Sequence, residues 1–169
     1  MPEPTSKHRW VEDIRGPILF LASDCLSAWK GVEPGEDWPG EVVVPRVLGV
    51  VGVGESIGLM LHDNYAGAYT TWEPLPGGGG VLVGDIAYQG DASVDALAAV
   101  PASAWTPTAP LFRVGVGGAV LFDGAWRGEE FSDTGFAVEL APGDYRVDAV
   151  PRFEHGAVVA RYVRLTRVV

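Results

Sequence analysis

Short apolar runs, each cut off by glycine or proline, fill this chain and limit what it can fold into. With 23 Gly and 13 Pro among 169 residues and no long stretch of helical period, the pattern specifies many short strands joined by tight turns. Ile57, Leu59 and Leu61 alternate with Ser56, Gly58, Met60 and His62, the spacing of a strand with one buried face. Residues 18–21, 81–88, 111–116, 119–123, 136–140, 145–153 and 158–168 also read as strands. Phe136, Val138 and Leu140 share a face of one, and Val159, Val163 and Leu165 face inward on the last. Residues 42–51, interrupted by Pro45, read as an edge or bent strand. Residues 72–80 form a turn-rich bridge, and 154–156 a hairpin turn. Only short helices fit. One runs from a cap at Ser23 or Asp24 to about Trp29 and stops at Gly31. The other opens at Asp91 or Ser93, places Val94, Leu97 and Ala98 on one face, and ends at Pro101.

A pair of stretches look like copies of one module. Val51-Gly-Val-Gly54 is followed by Leu59-Met-Leu-His-Asp63, Leu75-Pro-Gly-Gly78 and Val81-Leu-Val83; Val114-Gly-Val-Gly117 is followed by Ala119-Val-Leu-Phe-Asp123, Ala141-Pro-Gly-Asp144 and Tyr145-Arg-Val147. Repetition of this kind speaks to architecture before function. The expectation is an α+β fold, mostly antiparallel β-sheet with two short helices. Its two similar halves, about 9–103 and 104–169, pack as a single domain after a disordered tail at 1–8.

The net charge is −10. Between Val47 and Phe112 there is no Lys or Arg, while Glu55, Asp63, Glu73, Asp85, Asp91 and Asp95 all fall there. The loop 33–41 adds Glu33, Glu36, Asp37 and Glu41, and a second acidic loop carries Glu129, Glu130 and Asp133. Such a chain repels nucleic acid and attracts a basic protein. Trp38, inside the first acidic loop, is the aromatic placed to act as a binding hot spot. In the last third, Arg146, Arg152, Arg161, Arg164 and Arg167 are expected to pair across strands with Glu139, Asp148 and Glu154. The single cysteine, Cys25, allows no disulfide framework and no Cys-based zinc site. The N-terminus has no apolar export segment and no run long enough to span a membrane, so a cytoplasmic protein is expected.

Little chemistry survives a test of spacing. Gly54-Glu-Ser56-Ile-Gly58 matches a nucleophile elbow, and chain order permits a triad of Ser56, Asp144 or Asp148, and His155. The elbow, however, needs a helix after the serine, and a period-2 strand follows here. Gly52, Gly54 and Gly58 miss the dinucleotide spacing, and Gly77–Gly80 has no following Lys-Ser or Lys-Thr. His8, His62 and His155 are scattered, so a metal site could arise only by assembly in space. No catalytic residue, cofactor or metal is expected. A serine hydrolase using Ser56, or a small-molecule or sugar-binding β domain using exposed Trp, are the alternatives.

Trp10-Val-Glu-Asp-Ile-Arg-Gly-Pro17-Ile-Leu-Phe-Leu21, with Leu26-Ser-Ala-Trp29-Lys-Gly31, resembles the opening of the bacterial polymorphic-toxin immunity protein family 21. Leu48 to Gly54 with Leu59 to Asp63, Ala104-Trp-Thr-Pro107, Val120 to Asp123, and Leu140 to Val147 are similar to later parts of the same family. The chain departs from it at Arg15-Gly16-Pro17 and after Asp63. The resemblance implies an immunity protein, not an enzyme, that binds and neutralises a cognate toxin domain in the producing cell. The toxins of such systems include basic nucleases, whose phosphate-binding groove an acidic inhibitor can occupy. The contacts assigned to the toxin are Glu33, Glu36, Asp37, Trp38, Glu41, Asp63, Glu129, Glu130 and Asp133; nucleic acid and membrane are not expected partners.

Overall fold

A computed structural model describes residues 6–13, 16–33, 36–45, 47–61, 69–108 and 110–168. In chain order the strands are β1 (Val11–Glu12), β2 (Ile18–Ala22), β3 (Glu41–Val44), β4 (Leu48–Val53), β5 (Ser56–Leu61), β6 (Tyr69–Pro74) and β7 (Gly80–Asp85). After the short helix α1 (Asp91–Asp95) come β8 (Thr106–Pro107), β9 (Phe112–Val114), β10 (Ala119–Asp123), β11 (Phe136–Val138), β12 (Gly143–His155) and β13 (Val158–Arg167). Short 3-10 segments lie at Ser23–Ala28, Ala96–Ala99, Ala102–Ala104 and Gly128–Asp133. All pairings are antiparallel, as expected. One sheet runs β1-β6-β7-β13-β12-β8, with β9 also on β12; the other runs β11-β10-β2-β5-β4-β3.

The sheets pack face to face. Val11, Trp72, Leu82, Phe112, Tyr145, Val147, Val163 and Leu165 of the first sheet meet Ile18, Phe20, Leu48, Leu59, Leu61, Leu121 and Val138 of the second. Phe20 stacks on both Trp72 and Phe112, with ring centroids 5.4 and 5.3 Å away, an offset aromatic arrangement at the centre of the sandwich. Each outer face is covered as well. On the first sheet, α1 and the Ala96–Ala99 segment bring Val94, Ala96 and Leu97 onto Val81, Val83, Ala160 and Tyr162. On the second, Leu26, Trp29, Val32, Trp38 and Phe131 cover Leu19, Leu21, Val51, Met60, Val120 and Phe122.

Several expectations change in the light of this layering. Residues 42–51 form no single bent strand. They fold into the β3–β4 hairpin, with Pro45 in the connection and β3 at the sheet edge. The bridge 72–80 hides a strand: β6 pairs with β7 from Tyr69↔Asp85 to Pro74↔Gly80. β5 is buried on both faces, since Met60 reaches the outer layer while Leu59 and Leu61 face the core. Val163 and Leu165 point inward as expected, but the bulge between Val150 and Phe153 carries the end of the β12–β13 hairpin, with Val159, away from the core cluster. The matching stretches are connected differently. Gly54 turns a hairpin within one sheet, whereas residues 115–118 carry the chain from one sheet to the other. Each sheet combines a block of strands from before residue 104 with a block from after it, and the blocks meet at one seam, β13 beside β7 and β10 beside β2.

The N-terminus is tied down from Ser6 onward. His8 Nε2 lies 2.6 Å from Glu73 on β6, and its Nδ1 lies 3.1 Å from Asp91 at the start of α1. The Ser6 hydroxyl and Lys7 N–H also donate to Asp91. Ser6, Lys7 and His8, expected to belong to a disordered tail, are instead bonded to the fold.

Candidate functional site: an acidic face on the outer layer

The outer layer of the second sheet begins where β2 turns into the Ser23–Ala28 segment. Trp29 buries its ring there, and its Nε1–H donates to the Gly124 carbonyl at 2.9 Å. The chain then runs alongside residues 124–128: Gly128 N–H donates to Trp29 O, and Val32 N–H to Ala125 O. Gly31 is in the left-handed region at φ +79°, and a Cβ there would stand 2.7 Å from Ala125 O; glycine alone suits both demands. Gly128 is equally crowded, since a Cβ would meet Leu26 O at 2.0 Å. These contacts stitch the first acidic loop to the Gly128–Asp133 segment, which carries the second. Two stretches almost a hundred residues apart in sequence thus become one surface.

Glu33, Glu36, Asp37, Glu41, Glu129, Glu130 and Asp133 are all exposed on this layer, and none forms an ion pair among the described residues. Asp24 adds an eighth exposed carboxylate, against Lys30 and Arg127. Asp63 lies outside the described residues. Trp38 is half-buried rather than freely exposed. Its ring stacks beside Trp29, with centroids 6.3 Å apart. It also fills the space over Gly16, where a Cβ would stand 2.0 Å from the ring. Trp38 is the anchor that holds the acidic loop against the sheet, and the carboxylates around it face solvent. No charge pattern in the sequence reveals this; the only trace is a glycine at position 16, which the ring requires.

The acids of the basic-free middle are used differently. Asp85 is 2% exposed and accepts from Gln89 N–H, Gly90 N–H and the Ser93 hydroxyl. Glu73 and Asp91 hold His8. Of the expected arginine pairs, Arg164 reaches Asp148 across the β12–β13 ladder at 3.1 Å, and Arg152 reaches Glu154 at 2.7 Å along its own strand. Arg146 also approaches Asp148, at 3.5 Å. Glu139 forms no such pair among the described residues.

The Ser56 triad does not assemble. Ser56 follows the Gly54-Glu55 hairpin turn and lines a groove with Asp24, Cys25 and Arg113; Asp144 lies on the same side but is bonded to Arg113 at 2.8 Å. His155 sits at the other end of the thirteen-residue β12, roughly 35 Å from Asp144 at the rise of an extended chain. There its ring stacks on Phe153. Asp148 is engaged by Arg164 on the outer face of the other sheet. Burial, reinforced by the Asp24 carboxylate, pushes the Cys25 thiol above its ordinary pKa, which keeps it protonated and a poor nucleophile. Among the described residues no three His, Cys, Asp or Glu side chains gather as metal ligands would, and no helix is long and apolar enough to cross a membrane.

The described residues thus form a two-sheet antiparallel sandwich that carries exposed carboxylates on one outer layer. The chain matches the Immunity protein 21 family over residues 9–155, and it belongs to that family. No curated protein and no solved structure matches it.

Proposed function

We propose that this protein is the immunity partner of a polymorphic toxin. It binds the cognate toxin domain in the cytoplasm of the producing cell and blocks it without catalysis. The observation that carries this reading, beyond family membership, is the joining of the two acidic loops on one face, with no ion pair to their carboxylates among the described residues. Like charges held together on a rigid layer raise the local potential and steer a basic partner toward it. A nuclease fits, because its phosphate-binding groove presents the complementary charge. Glu33, Glu36, Asp37, Glu41, Glu129, Glu130 and Asp133 make the contact, Trp38 holds the loop in place, and Asp63, outside the described residues, is assigned to the toxin from the sequence alone.

The test is coexpression with the toxin domain encoded beside this gene. Cells carrying both grow, and cells carrying the toxin alone do not. Equal killing with and without this protein would remove the proposal.

A further inference from the structure

Among the described residues, one sheet edge is unguarded. In the β10–β11 ladder Ala119 faces Val138, Val120 faces Ala137 and Leu121 faces Phe136. The Val138 carbonyl points at Gly118 and the Leu121 carbonyl at Gly135, since a Cβ on those glycines would stand 2.5 and 1.8 Å from them. The bonded pairs of this ladder are therefore the outer two. By the alternation of an antiparallel pair, the N–H and C=O of Ala137 point away from β10. Leu140 N lies near Gly118 as well, and Leu140 is buried while Glu139 is exposed, so the alternation of Phe136 to Val138 continues and Glu139 follows Ala137.

Natural sheets blunt such edges, and the others here are blunted. β3 has a bulge between Val42 and Val44 and runs into Pro45. β8 contains Pro107, β1 is two residues long, and β9 carries the exposed Arg113. β11 is short, three residues, but it has no bulge and no proline, and its extended course continues through Glu139. A groove of about 510 Å³ lies at its C-terminal end, between Val116, Gly117 and Gly118 and residues 137–141, and Val116 is 93% exposed beside it. The edge is continuous with the acidic face, because Glu129, Glu130 and Asp133 precede β11 directly. Phe136, Val138 and Leu140 point into the core, so Ala137 and Glu139 share the acidic side. The nearby cations are occupied: Arg9 lies over the Phe136 ring and Arg167 donates to the Pro142 carbonyl.

We propose that an extended segment of the partner adds as a strand to the β11 edge, with Lys or Arg at alternate positions over Glu139 and the Gly128–Asp133 carboxylates, and apolar residues between. Main-chain bonds to Ala137 and Glu139 supply affinity, and the charge alternation sets register and excludes an acidic strand. This rests on the toxin-binding reading and deepens it.

Amide hydrogen exchange tests it on the folded protein. Free, Ala137 and Glu139 exchange fast while Val138 is protected. With the toxin domain from the neighbouring gene bound, Ala137 and Glu139 become protected. Ala137→Pro removes an N–H that bonds nothing in the free sheet, so its melting temperature stays close to that of the parent while toxin affinity falls about tenfold or more. A toxin that binds while both amides keep their free exchange rates overturns the strand addition and leaves the toxin-binding function standing. A toxin that does not bind removes that function. The synthetic peptide acetyl-Lys-Val-Lys-Val-Lys-Val-Lys-amide then decides: protection of the same two amides, absent with the Glu-for-Lys peptide, upholds the edge site, and no protection overturns it.

Discussion

His8 is the residue on which pH acts most directly. Burial alone would lower its pKa; the hydrogen bonds to Glu73 and Asp91, with the charges of both carboxylates, outweigh that and raise it above 6.5. Asp91 behaves conversely. Its partial burial opposes ionisation, but donation from the Ser6 hydroxyl, the Lys7 N–H and His8 brings its pKa to about 2. A group whose pKa is raised on folding contributes its full stability below the unfolded value and loses it as pH climbs through the folded one. The His8 contribution is thus complete below about pH 6.5 and fades on the alkaline side. The Asp91 contribution is present above about pH 4 and fades as pH falls toward 2. In urea titrations the protein should therefore lose stability between pH 6 and pH 9, and His8→Gln should flatten that slope. A parent whose midpoint does not move over this range would show that the imidazole is not charged in the clamp.

The elements were legible wherever alternation, β-branching and a turn signal agreed, as in β5, β10, β12 and β13. β6 escaped because Tyr69-Thr-Thr-Trp leads straight into Glu-Pro-Leu-Pro and a run of glycines, so turn chemistry masked the strand. Thr71 is buried with its hydroxyl donating to Arg9 O, and no hydropathy pattern encodes that. The outer layer was less legible still. Its order depends on glycines that look like loop filler, and two substitutions separate the roles glycine plays. Gly128→Ala drives a Cβ into Leu26 O and should cost about 1–3 kcal/mol, as forced packing against backbone does, while loosening the segment that carries Glu129 and Glu130. Gly52→Ala on β4 meets nothing within 4 Å at an ordinary backbone angle and should be neutral or slightly stabilising. Equal melting temperatures for the two variants would contradict the packing described here. Trp38→Ala belongs to the same scale: losing a half-buried indole that covers Gly16 and Trp29 should cost roughly 2 kcal/mol, visible in a chemical melt without any toxin present.

For the molecule as a whole, a net charge of −10 says less than where the charge is free to act. Read from sequence, the basic-free middle is as acidic as the two loops. In the fold, Asp85 is enclosed and Glu73 and Asp91 are tied to His8, while Glu55 and Asp95 stay exposed apart from one another; the exposed carboxylates of the two loops instead gather on the outer layer of one sheet. That division follows from long-range packing, which spacing along the chain does not encode. It also fixes what charge reversal should do. Lysine at Glu36 and Asp37 reverses part of the free acidic face without touching a buried contact, so the melting temperature should stay within a degree or so of the parent. Encounter with a basic toxin should slow by about tenfold at low salt, because steering acts through the field rather than through docked contacts. Raising ionic strength shortens the Debye length to about 8 Å at 0.15 M and 3 Å at 1 M, so the gap in association rate between parent and variant should close as salt is added. Dissociation rates should change far less. Stopped-flow association at several salt concentrations reads all of this at once, and a rate that ignores both the substitutions and the salt would place the toxin on another face.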